Sequence, residues 1–305
     1  MRTDMGIDLE RLSGLDWYPN GQSVLSGPLL QLYHRFDRLF LRWAAEVKAQ
    51  EVLVPTFIPT AELARLDYFH SFPQLVTFPV TLDPAEDNLR RFVADGPLAA
   101  DGAVRLAGCA PVHDALTPAA CYHFYVLNRG QQLGAPRYLT TRATCFRREA
   151  YYAPLQRQWS FSMREIVCIG TADEVKTFLA AYQARLDRFF QDTGLPINWA
   201  AATDSFFRPA HNPKYLAQRL DPVKTEMVFP VASPDAVGVK PLAIGSINFH
   251  RNYFGEAFGI TRAGQDAFTG CVAFGLERWL FAWLTRFGTE PNAGFNLNRW
   301  DGDDA

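Results

Sequence analysis

A hairpin-like stretch from Thr141 to Gly170, TRATCFRREAYYAPLQRQWSFSMREIVCIG, narrows the fold more than any other part of the chain. Side chains along an extended strand alternate between two faces. In the first half, Cys145, Arg147 and Glu149 share one side, and Phe146 and Arg148 take the other. In the second half, Phe161, Met163, Glu165, Val167 and Ile169 fall on a common face. The intervening AYYAPLQRQW holds Pro154 and several long polar side chains, and it is too long for a tight turn. Paired across such a hairpin, the strands would hold guanidinium groups, carboxylates and an aromatic ring over one surface. That surface can grip a polyphosphate and a flat base.

With 305 residues, 48% of them hydrophobic and 14% aromatic, the chain can bury a large core, which excludes a disordered or linker-like protein. A formal net charge of -2 gives no general sign of nucleic-acid affinity and leaves room for a local basic site. The N-terminal MRTDMGIDLERLSG lacks the apolar run of a secretory signal, and no uninterrupted apolar run is long enough to cross a bilayer. The five cysteines, Cys109, Cys121, Cys145, Cys168 and Cys271, form no CxxC pair. Their odd number fits a reduced, cytoplasmic protein in which most are small buried hydrophobes and one or two could bind metal.

Residues 1–27 read as irregular, with a short helix near Ile7 to Leu12. Ser26 is placed to cap a helix whose apolar positions, Leu29, Leu32, Tyr33, Phe36, Phe40, Trp43 and Val47, recur at helical spacing. VLVPTFIP then reads as a strand that Pro55 confines to an edge or interface, and Thr60 as the cap of a short helix. FPQLVTFPVT reads as a strand pair, LRRFVADG as a short helix or loop, and ACYHFYVLN as a strand-like run. Thr171 with Glu174 fits a capping box, followed by the stripe Val175, Phe178, Leu179, Tyr182, Leu186 and Phe189 and a stop at Gly194 and Pro196. LAIGSINFH reads as a strand, and TGCVAFGLERWLFAWLTRFG as extended chain passing into a helix. Residues from Asn292 to Ala305 are rich in Gly, Asn and Asp and read as surface. With no internal repeat or low-complexity linker, residues 1–305 are expected to form one catalytic domain with insertions.

TCFRREA followed by RQWSFSMREI resembles motif 2 of the class II aminoacyl-tRNA synthetases, and GCVAFGLERWLFAW resembles their motif 3. The long helix before VLVPTF resembles motif 1, which in that family supports a dimer. The signatures run from about Leu29 to Phe287. The resemblance implies an α+β fold, a mainly antiparallel sheet flanked by helices. It also implies that Arg147 holds the ATP α-phosphate, Glu149 meets the adenine amino group, Phe161 stacks on the adenine and Arg157 approaches the γ-phosphate. Arg278 would clamp the phosphates from the opposite side, and Glu226 would lie near Mg2+. Guanidinium groups suit these roles because they are planar, permanently charged and bidentate toward phosphate.

Within that family the chain is similar to the amino acid:[carrier protein] ligases, which activate a small amino acid and load it on the phosphopantetheine thiol of a carrier protein. Their zinc ligands are Cys, Glu and Cys, and the matching positions are Cys121, Glu165 and Cys271. Two thiolates and a carboxylate suit Zn2+ and leave a position for a substrate amine. The resemblance thus implies ATP as substrate, Zn2+ and Mg2+ as cofactors, glycine or alanine as amino acid, a holo acyl or peptidyl carrier protein as partner, and a homodimer. No membrane is expected, for want of a long apolar run, and no tRNA partner, because the chain carries no long coiled-coil arm before its first helix.

Ser246, Asn248 and His250 alternate in GSINFH and are expected to line the amino-acid pocket, with Ala273 replacing a glycine frequent in motif 3. Plainer readings stand beside these. Arg147, Glu149 and Arg278 could form a structural ion-pair network, Phe161 could be core and Glu226 a solvated strand residue. His123, two residues from Cys121, would share its strand face, either as a metal partner of Cys121 or, in the preferred reading, as a core or supporting histidine. Arg208, Lys214 and Arg219 offer either a basic face for an acidic carrier or ordinary solvated surface. Aminoacylation of tRNA, an inactive zinc-stabilised paralogue and transfer to coenzyme A are the competing functions.

Overall fold

In the computed structural model, which describes residues 9–232, 239–289 and 300, the expected hairpin forms the second and third strands of a seven-stranded sheet. In chain order the strands are β1 (Gln50–Glu51), β2 (Arg137–Phe146), β3 (Ser160–Gly170), β4 (Asn198–Ala202), β5 (Lys224–Ala232), β6 (Val239–Arg251) and β7 (Phe268–Gly275). In space they run β1-β2-β3-β7-β6-β5-β4, and every pairing is antiparallel except β1 with β2. The α+β architecture expected from the sequence is therefore present. β2 and β3 pair without a break from Arg137 opposite Ile169 to Phe146 opposite Ser160. One more bond, from Arg147 N to Trp159 O at 2.9 Å, carries the pairing into the loop.

Six helices matter for the site: α1 (Gly27–Glu46), α2 (Tyr122–Leu127), α3 (Ala172–Thr193), α4 (Pro213–Leu220), α5 (Tyr253–Phe258) and α6 (Leu276–Phe287). Helices α1, α3 and α6 cover one face of the sheet. The apolar stripes of the sequence are what they bury: Phe36, Phe40 and Trp43 from α1, Val175 to Phe189 from α3, and Trp279, Leu280 and Trp283 from α6. They meet Ile166, Cys168, Val272 and Phe274 of the sheet. Phe40 stacks on Phe274 at 3.9 Å between ring centroids. Each large apolar side chain so buried contributes about 1.5–3 kcal/mol, making this layer the main anchor of the sheet. At the start of α3 the capping box forms as expected, with Glu174 N donating to Thr171 Oγ1 and Thr171 N donating to Glu174 Oε2. Gly194 ends the helix at φ 67°, a conformation that favours glycine.

Some local expectations fail, each for a physical reason. VLVPTFIP is not one strand; Pro55, which cannot donate a ladder hydrogen bond, lies in a gap between β1 and the short strand Phe57–Pro59. FPQLVTFPVT forms turns and extended chain, because its two prolines deny it regular pairing. Residues Leu15–Tyr18 and Gln22–Leu25 form a hairpin where irregular chain was expected, closed by Gly21 at φ 90°. Of the expected first helix, Leu9–Arg11 is a single 3-10 turn, and the residues before it lie outside the described ones. Ser26 stands at the cap position of α1 without a side-chain cap bond, and Thr60 is the first residue of its helix rather than the cap. The run after Cys121 is helix α2 instead of a strand, so His123 does not share a face with Cys121 by alternation. Of Asn292–Ala305, only Trp300 is described; it packs edge-on against Trp43.

Candidate active site

Period-two alternation leaves the other face of the sheet to polar residues. Strand register then lines them up. Thr141, Glu165, Ala273, Ser246 and Glu226 follow one another across β2, β3, β7, β6 and β5. Two residues along, Leu139, Val167, Cys271, Asn248 and Lys224 form the next row. Glu165, Ala273, Ser246 and Glu226 of the first row and Cys271, Asn248 and Lys224 of the second floor a cavity of about 460 Å³, while Leu139 and Val167 are buried in core. Of the residues predicted for the site, Cys121, Arg147, Glu149, Phe161, Glu165, Glu226, Ser246, Asn248, His250, Cys271, Ala273 and Arg278 line it. Arg157 does not reach the wall.

At one end, Cys121, Glu165 and Cys271 converge, their ligand atoms all within 4.8 Å of one another. Cys121 is the residue from which α2 starts, and Glu165 is fastened to that start: its Oε1 accepts from the backbone N–H groups of Ala120 and Cys121 at 3.1 and 3.3 Å. Glu165 Oε2 is buried with no hydrogen-bond partner among the described residues. A buried carboxylate oxygen without a donor is costly. The Cys121 thiol is held well above the usual range by its hydrogen bond to Cys271, by burial and by Glu165. A bond from Cys121 pulls the Cys271 thiol down, but burial and Glu165 raise it on balance. Three crowded acidic groups and an orphaned oxygen fit a divalent cation, and a two-thiol, one-carboxylate donor set suits Zn2+.

At the other end lie the arginines. Arg147 donates through Nε to Pro118 O at 2.9 Å, and its guanidinium carbon sits 5.3 Å from the Phe161 ring centroid. Arg278 donates to the carbonyls of Gln156 and Ala243 at 2.7 and 2.8 Å. Burial pushes Arg278 down to about 10, and the nearby charges of Arg147 and Arg157 push the same way. This crowding of cations suits a polyanion. Arg157 pairs with Glu149 at 2.6 Å and lies 4.8 Å from the Tyr151 ring centroid. Glu226 is met by Lys224 at 3.2 Å.

Several cavity residues escaped the sequence reading. Asp204 faces Lys224 at 3.3 Å and exchanges two hydrogen bonds with Gln218. Burial alone would raise its carboxyl, yet Lys224 and Gln218 outweigh that and hold it below the usual range. Tyr68, Phe72 and Phe206 form an aromatic wall. The only local signal for Tyr68 and Phe72 is aromatic spacing on a short helix, which also describes ordinary core. His250, pushed down to about 4 mainly by burial, stands neutral beside Cys271.

Known proteins resemble this arrangement. Residues 113–287 match the tRNA synthetase class II core domain (G, H, P, S and T). An amino acid–[acyl-carrier-protein] ligase 1 of Bradyrhizobium diazoefficiens is 34% identical over 81% of this chain and 74% of its own length. A type-2 serine–tRNA ligase of Methanopyrus kandleri is 24% identical over 89% of this chain, which spans 54% of that ligase. The M. kandleri seryl enzyme crystallised with A. aeolicus tRNASec superposes with a TM-score of 0.75 at 22% identity, over 95% of this chain and 58% of its own.

The expectation that excludes tRNA as a partner is overturned by these relatives, since one is a tRNA ligase and the solved structure holds a tRNA. The physical reason is that this cavity carries groups suited to ATP and an amino acid, and those groups are indifferent to the acceptor. No helix among the described residues is long and apolar enough to cross a membrane. The shared core and the extent of identity establish that this chain belongs to the class II tRNA synthetase core family, alongside the amino acid–[acyl-carrier-protein] ligases.

Proposed function

We propose that the protein is an AMP-forming ligase that loads a small amino acid, glycine or alanine, on the phosphopantetheine thiol of a carrier protein. The amino-acid carboxylate attacks the α-phosphorus of MgATP, and the bond to the pyrophosphate oxygen breaks. Aminoacyl-adenylate and pyrophosphate result. The carrier thiolate then attacks the activated carbonyl, AMP leaves with the bonding electrons, and an aminoacyl thioester forms. No protein nucleophile is needed; orientation and charge stabilisation supply the rate.

Arg147 and Arg278 grip the phosphates from two sides, and Phe161 stacks on the adenine. Arg157 and Glu149 now satisfy each other. With nucleotide bound they part, Arg157 toward the γ-phosphate and Glu149 toward the adenine amino group. Glu226 exchanges Lys224 for the magnesium carried by the triphosphate. Cys121, Glu165 and Cys271 would hold Zn2+, which when bound supplies a Lewis acid for the neutral substrate amine. The Ala273 methyl, between Glu165 and Ser246 in the cross-strand row, favours a small side chain. Helix α4 lies at the cavity with Lys214 on its wall and Leu216 and Leu220 exposed, which supports it as the seat of an acidic carrier.

The observation that carries this reading is one cavity in which a buried Cys–Glu–Cys cluster and two inward-facing arginines meet. Transfer of the same adenylate to tRNA is the second reading, favoured by the serine–tRNA ligase relatives. An amino-acid panel with ATP, run separately with holo-carrier, apo-carrier and total tRNA, tests both. The expected result is ATP–pyrophosphate exchange with glycine or alanine and a mass increase on holo-carrier but not on apo-carrier. Charged tRNA without loaded carrier would replace the first reading with the second, and absence of exchange with every amino acid would reject both.

A further inference from the structure

The two sulfurs of the cluster sit in different surroundings. Cys271 Sγ receives Asn248 Nδ2 at 3.2 Å and faces His250 Nε2 at 3.7 Å. Among the described residues, Cys121 Sγ has Cys271 and Glu165 as side-chain partners. The asymmetry follows from register, because Asn248 lies directly opposite Cys271 between β6 and β7. The Asn248 amide is itself aimed, since Nδ2 also donates to Ser246 Oγ at 2.9 Å. One amide hydrogen serves the hydroxyl and the other the sulfur.

His250 is set from behind. Its Nδ1 lies 3.1 Å from Thr269 Oγ1 and 3.4 Å from Tyr125 Oη. Thr269 and Tyr125 are both fully buried. Either hydroxyl donating to Nδ1 leaves the ring proton on Nε2, directed at Cys271. Anionic sulfur buried without donors is costly, and charge-assisted N–H bonds to it are strong.

We propose that Asn248 and His250 are positioning residues for Cys271: their N–H groups are aimed at its sulfur and draw electron density from it, so that a bound metal would keep more of its positive charge. This inference rests on the zinc reading above and replaces the expectation that Asn248 and His250 touch the amino acid. Ser246 acts one step further out by orienting the Asn248 amide. Cys121, with a thiol and a carboxyl beside it among the described residues rather than such N–H donors, is the more electron-donating ligand of the pair.

The test uses full-length protein loaded with Zn2+ or with Co2+. Asn248→Leu keeps bulk and removes the donor, His250→Phe removes the second donor, and Ser246→Ala loosens the first. Zn2+ affinity is read by chelator competition, and cobalt protein by its thiolate-to-metal charge-transfer band. Asn248→Leu and His250→Phe are each expected to weaken Zn2+ binding about 10-fold or more. Both should move the band to longer wavelength, with Ser246→Ala shifting it the same way by less. Should Asn248→Leu not fold by circular dichroism, Ser246→Ala and His250→Phe carry the same two readouts. Unchanged metal affinity and band together with a raised KM for the amino acid would overturn the inference and return these residues to substrate contact. Wild-type protein that takes up neither metal would overturn the zinc reading as well.

Discussion

Arg164 and Arg147, both in or beside the central hairpin, lie on opposite faces of the sheet and have opposite surroundings. Arg164 points to the helices. Its guanidinium binds Asp37 of α1 through two nitrogens, at 2.8 and 3.0 Å, and Glu51 of β1 at 2.9 Å. Arg147 points into the cavity, where it meets a backbone carbonyl and an aromatic ring. One arginine is spent on joining α1 to the sheet, whereas the other keeps donors directed at a chamber large enough for a nucleotide. The same residue type on neighbouring strands is thus structural or available according to which side the strand turns it. Charge in a motif therefore says little about role until its partners are known.

The contrast is broken most directly at Arg164. Removing one member of a buried ion pair typically costs roughly 3–5 kcal/mol, and Asp37 would keep the part-exposed Arg142, at 3.2 Å. Arg164→Ala is expected to lose about that much in chemical denaturation, with activity falling only as the folded fraction falls. Full stability in that variant would show that the aromatic stripe and the Arg142–Asp37 pair hold α1 without Arg164. The complementary change, Arg147→Ala, is expected to leave the melting temperature nearly unaltered and to slow ATP–pyrophosphate exchange about 10²–10³-fold, as removal of a donor to developing charge does. If instead Arg147→Ala unfolds the protein and Arg164→Ala abolishes exchange in folded protein, the two faces have been assigned the wrong way round.

Much of this division was legible in the sequence. Alternation in Thr141–Gly170 separated Glu165, Val167 and Ile169 from Ile166 and Cys168, and the structure keeps that separation. The capping box and glycine stop of α3 were equally readable because each is complete within one turn. Cys121 shows where local reading ends. ACYHFYVLN has the aromatic content of a strand, yet it folds as a helix because Phe124 and Tyr125 gain a core contributed by distant residues. Assigning Cys121, Glu165 and Cys271 to one site came from family resemblance, since no local spacing joins a helix start to the middle of two strands. The Asp204–Lys224 pair had no signal at all, for it depends on where the loop after β4 returns over the sheet.

Glu277 sharpens the comparison further, because it stands at the junction of the two faces. It belongs to the first turn of α6, lines the cavity and accepts the Ser162 N–H with both carboxylate oxygens at 2.9 Å. Burial pushes it up to about 7 despite that bond. A carboxyl whose folded value lies above its unfolded value of 4.5 favours the folded state most when protonated. Its contribution is fully present below pH 4.5 and is lost as pH rises through about 7. The expected span is at most roughly 3 kcal/mol. His250 titrates in the opposite sense, its folded value of about 4 lying below the unfolded 6.5, so acid removes stability there. That second dependence is common to wild type and Glu277→Gln, and subtracting their stability curves isolates Glu277. The difference should change steadily between pH 4.5 and 7 and be flat on either side. Parallel curves across that interval would mean that the Ser162 amide and nearby arginines already stabilise the ionised carboxylate, and that the cavity's positive charge extends through the sheet edge into the start of α6.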